Sequence, residues 1–369
     1  MIIGVPKEIK DNEFRVSVTP GGVFELVNDG HKILVQKDAG LGSGFIDDEY
    51  IKAGAKILNT IEDVYKNAEM IVKVKEPIEL EYPLIKKDQI IFTYLHLSSN
   101  KKLVDNLLSS SSICIAYETI EKNNQFPLLA PMSEVAGRMA AIVGAYYLGI
   151  NFGGKGLLIS GVSGVLPGNV LIIGAGIVAK SAAKIASGMG ANVIIMSPFI
   201  EELREIELGN YFSLNVKTKI LNSYNLLTEL EKTDILISAV YVSGARTPIV
   251  VKKEMVRKMK PGSVIVAVDI DQGSSVETAR PTTHLNPTYM EENVLHYCVA
   301  NMPGIFSKTS TTALTNLTIP YIKKIAAKGI DVFKENNELL LGLNIFRGKI
   351  TNKKVALDLD LEDCFMEYK

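Results

Sequence analysis

The chain has 369 residues, 47% of them apolar, which is enough for two domains with separate buried cores. Its 40 basic and 41 acidic residues give a net charge of −1 with no basic block, so nucleic-acid binding has no electrostatic support. Three scattered cysteines, Cys114, Cys298 and Cys364, match no metal spacing and no disulfide framework, which fits a reducing cytoplasm. The start, Met1-Ile-Ile-Gly-Val-Pro-Lys-Glu8, turns charged too soon for a signal peptide. No uninterrupted apolar run reaches the ~18 residues of a membrane helix, and a soluble protein is expected.

In chain order, the first strands are predicted at 2–5, 32–36, 70–74, 89–94 and 112–117, with helices between them. The clearest helix opens at Thr19-Pro20, an N-cap followed by proline at the first helical position, and stops at Gly30. This alternation predicts a parallel sheet covered by helices. A long small-residue helix follows over 133–148, with Ser133 in the N-cap position. A second set of strands is predicted at 170–173, 193–196, 216–220, 235–239, 264–268 and 295–299. Another long helix covers 310–327. The tail from Arg347 onward carries no functional motif.

The most informative stretch is Asn169-Val-Leu-Ile-Ile-Gly174-Ala-Gly176-Ile-Val-Ala179. An apolar strand runs into Gly-x-Gly-x-x-Ala, and a small-residue helix follows. Gly174 permits the tight turn, Gly176 lets the backbone approach a pyrophosphate, and Ala179 lets helix and strand pack closely. This turn predicts a dinucleotide site. One part of the fingerprint is missing. The next strand ends in Ser197-Pro198, where an acid normally receives the adenosine ribose hydroxyls. NAD with relaxed discrimination is therefore expected, with two outcomes open: NAD bound more weakly through other contacts, or NADP tolerated as well. Arg204 is the nearest candidate cation for a 2′-phosphate, which Glu201 and Glu202 would oppose.

The predicted class is α/β: two doubly wound parallel-sheet, Rossmann-like domains joined by the long helices, with a cleft between them. The first domain is discontinuous, 1–127 plus 305–369, and carries substrate and catalytic groups. The dinucleotide-binding domain, 128–304, is inserted into it.

In such sheets ligands gather beyond the carboxyl ends of the strands. Those positions hold Lys7, Glu8 and Arg15, then Lys75, then His96; in the second domain they hold Asp271-Gln-Gly273 and Asn301-Met302-Pro303. Arg15 offers a planar fork for a carboxylate, and Lys75 a compact cation for carboxylate or keto oxygen. His96 suits proton movement near neutral pH, and Asp271 suits orienting water or stabilising an iminium charge. Each also has a plain structural reading: Arg15 and Lys75 as ion-pair residues, His96 as a structural histidine, and Asp271-Gln-Gly273 as a turn. Four scattered histidines give no metal site.

These residues carry a resemblance that runs almost end to end. The segments are Gly4-Val-Pro-Lys-Glu8, Asn12-Glu13, Arg15-Val16, Thr19-Pro20, 40–44, Val74-Lys75-Glu76-Pro77 and Tyr94-Leu95-His96. They continue with Leu129-Ala-Pro-Met-Ser133-Glu-Val-Ala-Gly-Arg138, 161–164, Asp271-Gln-Gly273, Arg280-Pro-Thr-Thr-His284 and Tyr297-Cys-Val-Ala-Asn301-Met-Pro303. Lys308-Thr-Ser-Thr311 and Ala313-Leu-Thr-Asn316 close the series. The chain resembles the alanine dehydrogenases, a family related to the nucleotide-binding subunit of proton-translocating transhydrogenases.

The resemblance implies reversible oxidative deamination of L-alanine to pyruvate and ammonia with a nicotinamide cofactor, in a cytoplasmic homohexamer. It implies that Arg15 and Lys75 bind substrate and that His96 and Asp271 form the catalytic pair. It places Ser133, Gly174, Gly176, Ala179, Ser197, Val240, Asp271, Val299, Asn301 and Met302 along the cofactor. Three other readings stand beside it. A transhydrogenase subunit shares the plan, but this chain keeps His96 and Asp271-Gln-Gly273 and lacks that subunit's insertion in the nucleotide domain. A saccharopine-forming dehydrogenase needs room for a larger substrate, against which the motifs around Tyr94 and Asn301 argue. A non-catalytic nucleotide sensor keeps the fold without the reaction.

Overall fold

The computed structural model describes residues 1–209, 215–241 and 247–368. They form two compact units, Met1–Met132 with Gly304–Lys369, and Ser133–Pro303. The strands of the first part of the chain are β1 Ile2–Val5, β2 Lys32–Gln36, β3 Lys56–Leu58, β4 Met70–Val72, β5 Ile90–Thr93 and β6 Ile113–Ala116. Those of the middle are β7 Asn169–Ile173, β8 Asn192–Ser197, β9 Val216–Ile220, β10 Ile235–Ser238, β11 Val264–Ala267, β12 Thr288–Glu291 and β13 Val294–Tyr297. The tail supplies β14 Leu343–Phe346 and β15 Lys349–Ile350. Five helices matter below: α1 Pro20–Asn28, α2 Ala130–Tyr147, α3 Ile177–Gly188, α4 Ile200–Leu208 and α5 Ser307–Lys328.

The first unit holds an eight-stranded sheet in the order β15-β14-β6-β5-β4-β1-β2-β3. Strands β1 to β6 are parallel, and β14 and β15 add an antiparallel edge. Successive residues feed opposite faces. Ile3, Met70, Ile90 and Ile113 join one core with Leu26, Leu314 and Ile322. Ile71, Ile91 and Cys114 join a second with Leu103, Leu107 and Val355. Both faces are covered, so the strands read as continuous apolar runs.

The second unit repeats the plan with seven strands in the order β12-β13-β11-β10-β7-β8-β9. All are parallel except β12, which pairs antiparallel with β13. Val170, Ile172, Val193 and Ile195 pack with Ala179, Ala182 and Ala186 of α3. Leu171, Ile173 and Met196 face a separate core with Leu226 and Met255. Both sheets are thus the doubly wound, parallel-dominant sheets read from the sequence.

The differences are local and have physical reasons. Strands β3, β12, β14 and β15 give no clear sequence signal, being two to four residues long and at or next to sheet edges. The β14–β15 hairpin turns through Arg347-Gly348, both with positive φ (49° and 83°), the geometry of a tight two-residue turn. Helix α2 begins at Ala130, three residues before the expected N-cap, because Pro131 fits the first helical turn, where an N–H is dispensable. Ser133 therefore lies inside the first turn and is not a cap. The chain crosses from the first unit to the second inside α2, at Met132–Ser133, and returns at Pro303–Gly304. Helix α5 belongs wholly to the first unit, so of the two long helices only α2 spans a crossing. Helix α1 starts as read: Thr19 caps it by accepting from the Gly22 N–H at 3.2 Å. Among the described residues no helix is long and apolar enough to cross a membrane.

Candidate active site

In the first unit, β5, β4 and β1 are adjacent and parallel, so the residues after them share one edge of the sheet. Glu8 and Arg15 follow β1, Lys73 and Lys75 follow β4, and His96 follows β5. Beneath this edge lies a buried ionic network. The Lys73 ammonium, 1% exposed, sits 3.2 Å from Glu8 Oε2 and 2.9 Å from Glu81 Oε1. The Tyr65 hydroxyl donates to Glu81 Oε1 at 3.0 Å, and the Ile78 N–H donates to its other oxygen at 3.0 Å. Burial works against the Lys73 charge, but the two carboxylates outweigh it and hold its pKa above the ordinary value. Burial pushes the Glu8 carboxyl up.

This network fixes the segment that carries Lys75. Glu8 Oε1 accepts the Val74 N–H at 2.6 Å and the Lys75 N–H at 3.4 Å. Thr93 Oγ1 donates to the Lys75 carbonyl at 2.9 Å. The Lys75 ammonium itself makes no hydrogen bond or ion pair among the described residues. Burial lowers its pKa, and the positive charge of Arg15 lowers it further. The charges of Glu76 and Glu13 only partly offset this, and a half-buried cation without an ion-paired carboxylate favours an anionic ligand.

Arg15 is held differently. Its Nε donates to Glu13 Oε1 at 2.6 Å and its Nη2 to Glu13 Oε2 at 2.5 Å, a bidentate pair. Nη1 faces Met132 Sδ at 2.9 Å. Burial acts to raise the Glu13 pKa, yet the bonds and charge of Arg15 reverse this and lower it. Glu13 thus takes up one face of the fork expected to suit a substrate carboxylate. The ion-pair reading of Arg15 holds, and that of Lys75 does not. Thr311 of α5 anchors the same loop, its Oγ1 accepting the Val16 N–H at 3.1 Å.

His96 is exposed, and its ring makes no hydrogen bond among the described residues. Its backbone is left-handed (φ 48°, ψ 42°), a strained conformation of the kind found at functional sites. Glu118 holds it there by accepting the Leu95 N–H at 3.1 Å and the His96 N–H at 2.6 Å. The ring stacks on Tyr94, with centroids 5.9 Å apart and planes 10° apart. Tyr94 is pinned in turn by donating to the Leu128 carbonyl at 2.5 Å.

In the second unit, β13, β11, β10, β7 and β8 lie side by side. At or beyond their carboxyl ends stand Asn301, Asp271, Val240, Gly174 and Ser197 in that order. Gly174 has φ 110°, and a side chain there would meet the Ala239 carbonyl oxygen at 2.4 Å. Gly176 is the N-cap of α3, makes no side-chain cap, and has open space where a Cβ would stand. The helix N-terminus thus presents uncapped N–H groups toward open space, which fits a dinucleotide pyrophosphate. Ala179 is fully buried against the sheet. Gly137 of α2 comes so close to α3 that a Cβ would lie 2.2 Å from the Val178 carbonyl oxygen. Ser133 lies one turn before Gly137 on α2.

Asp271 is exposed on a turn, Val268–Gln272, that follows β11. Asp269 anchors this turn from below. It accepts from Ser238 Oγ (2.7 Å), Ser274 Oγ (2.9 Å) and Ser275 Oγ (2.7 Å). Val299 and Met302 are buried, and Asn301 has φ 55°. Ser197 is buried; its Oγ donates to Glu202 Oε2 at 2.5 Å and accepts the Phe199 N–H at 3.2 Å.

Each unit therefore assembles its own share of the expected residues at one sheet edge. Sequence reasoning missed Lys73, Glu81, Glu118 and Asp269. Lys73 had a signal, since a lysine inside the apolar run 70–74 requires a buried carboxylate partner.

Two family profiles match the chain: "Alanine dehydrogenase/PNT, N-terminal domain" over residues 4–136 and "Alanine dehydrogenase/PNT, C-terminal domain" over 140–353. The chain belongs to the alanine dehydrogenase/PNT family. It is 51% identical to an alanine dehydrogenase of Methanococcus maripaludis over 364 residues, 98% of this chain and 97% of that protein. Among solved structures it is similar to an L-alanine dehydrogenase, with a TM-score of 0.95 and 44% identity over 98% of this chain and 100% of the other. A transhydrogenase of Sinorhizobium meliloti shares the fold at 21% identity, with a TM-score of 0.80 over 96% of this chain and 99% of that one. Within the family, the higher identity lies with the dehydrogenases.

Proposed function

We propose that the chain catalyses the reversible oxidative deamination of L-alanine to pyruvate and ammonia, with NAD as its pyridine nucleotide. Near-full-length similarity to alanine dehydrogenases supports the reaction. The observation that carries the residue-level reading is Lys75, a half-buried ammonium with no ion-paired carboxylate among the described residues, close enough to Arg15, Glu76 and Glu13 for their charges to interact. The first unit takes the substrate role and the second the cofactor role.

Lys75 holds the substrate carboxylate as a compact charge, with the Arg15 guanidinium, held by Glu13, adding positive charge beside it. Bound NAD supplies the acceptor for the hydride leaving the alanine α-carbon. His96 takes a proton at a ring nitrogen from the water that adds to the imine carbon, then returns it to the departing amine. Its uncommitted ring suits both steps. Asp271 is the second member of the catalytic pair and stabilises positive charge on the imine nitrogen. Gly174, Gly176 and Ala179 shape the pyrophosphate site. Ser133, Val240, Val299, Asn301 and Met302 line the rest of the cofactor.

The protein is proposed to work as a cytoplasmic homohexamer, which light scattering on the purified chain checks. The reaction is tested by incubating the protein with L-alanine and NAD, then with pyruvate, ammonium and NADH. NADH formed in step with pyruvate and ammonia, and consumed in the reverse mixture, is the expected result. Silence in both directions contradicts the reading.

A further inference from the structure

The tip of β8 carries Ser197 where a dinucleotide site normally has an acid, and an acidic side chain lies beside it. Ser197 ends β8, one residue past Met196, which pairs with Ile173 of β7. The Gly174 N–H donates to the Met196 carbonyl at 2.8 Å, so the glycine turn and the strand tip lie side by side. This is the place where a dinucleotide fold receives the adenosine ribose. The Ser197 hydroxyl is not available for that task. It is buried, its one proton goes to Glu202 Oε2 at 2.5 Å, and it already accepts the Phe199 N–H at 3.2 Å.

Glu202 is exposed on the first turn of α4, and no described residue bonds its other carboxylate oxygen. An ionised carboxylate only accepts hydrogen bonds, which is what two ribose hydroxyls require. Among the described residues, the two cations nearest along α3 and α4 are not placed for a 2′-phosphate. Arg204 lies two residues further along α4, about 200° around the helix from Glu202. Lys180 is paired with Glu205 at 2.5 Å.

We infer that Glu202 is the carboxylate that receives the adenosine ribose hydroxyls and excludes NADP, and that buried Ser197 is its positioning residue. The inference rests on the dinucleotide reading of the second unit. It reverses the relaxed discrimination expected from Ser197 alone. The same Ser197–Glu202 bond also organises the start of α4, so a stability change does not test the idea. The ratio of NADH to NADPH affinity does, because a helix-start role leaves that ratio unmoved.

The experiment is calorimetric titration of the full chain with NADH and with NADPH, for wild type, Glu202→Gln, Ser197→Ala and the double variant Ser197→Asp/Glu202→Gln. Wild type is expected to prefer NADH by at least about 100-fold, from lost ionic hydrogen bonds plus charge repulsion. Glu202→Gln is expected to weaken NADH about 10- to 100-fold, with NADPH unchanged or tighter. Ser197→Ala should lose part of the preference, and the double variant should regain it. Glu202→Gln with the wild-type NADH/NADPH ratio overturns the inference while leaving the dinucleotide site standing. A wild-type chain that binds neither nucleotide overturns both.

Discussion

Replacing Gly176 by alanine separates a binding effect from a folding effect. Gly176 has φ −76° and ψ −167°, a conformation any residue adopts, and no atom lies within 4 Å of the Cβ that alanine would add. Alanine is a poorer N-cap than glycine by less than about 1 kcal/mol, and its stiffer unfolded chain offsets part of that. Stability should therefore hold to within about 1 kcal/mol. The new methyl nonetheless fills open space beside the uncapped start of α3, where the proposed pyrophosphate would approach the backbone. Each ionic hydrogen bond lost there costs about 1.5–3 kcal/mol, so NADH affinity should fall at least about tenfold. Gly174→Ala is the counterpart. It places a side chain at φ 110° and 2.4 Å from the Ala239 carbonyl oxygen. Backbone strain and overlap together cost about 2–6 kcal/mol, so this variant should lose stability as well as binding. The assay is NADH fluorescence enhancement, which the absence of tryptophan leaves free of indole background, alongside thermal melting. A Gly176→Ala protein with NADH affinity within twofold of wild type would refute the argument.

Other expected outcomes follow from the first unit. His96→Ala should lower turnover by about 10²- to 10⁴-fold while NADH affinity stays within twofold, as steady-state kinetics and titration would show. Lys73→Met leaves Glu8 and Glu81 buried around a missing cation and should cost about 3–5 kcal/mol in urea unfolding; a loss below about 1 kcal/mol contradicts the network. The Glu13 pKa is lowered in the folded chain, so its contribution to stability is complete above the ordinary glutamate value and is lost as pH falls through the folded one. The stability gap between wild type and Glu13→Gln should therefore shrink on acidification, and a gap constant with pH argues against it. Lys75 has a lowered pKa and binds anions only while protonated, so substrate KM should rise on the alkaline side below the pH expected of a free lysine.

Much of the fold is local and could be read in advance. Continuous apolar strands, the Thr19-Pro20 helix start and the Gly174 turn each carry their reason within a few residues. The tail was unreadable for the opposite reason: β14 and β15 are short and become strands only by joining β6. The site divides in the same way. The placement of Arg15, Lys75 and His96 after strand ends follows from topology. The support beneath them does not, because Lys73 finds Glu8 across 65 positions of sequence. Glu118 likewise meets His96 only once β5 and β6 are paired. Ser197 misled because its role depends on a side chain five positions later that folds back onto it.

The proposed chemistry rests on one bond, from the α-carbon of alanine to its hydrogen. L-alanine deuterated at that carbon, incubated with NAD and the wild-type protein, should yield NADH carrying a single deuterium, seen by mass spectrometry. The rate should also fall relative to unlabelled alanine if hydride transfer limits turnover. Deuterium released to water, with none in the reduced nucleotide, would contradict direct hydride transfer and with it the dehydrogenase reading.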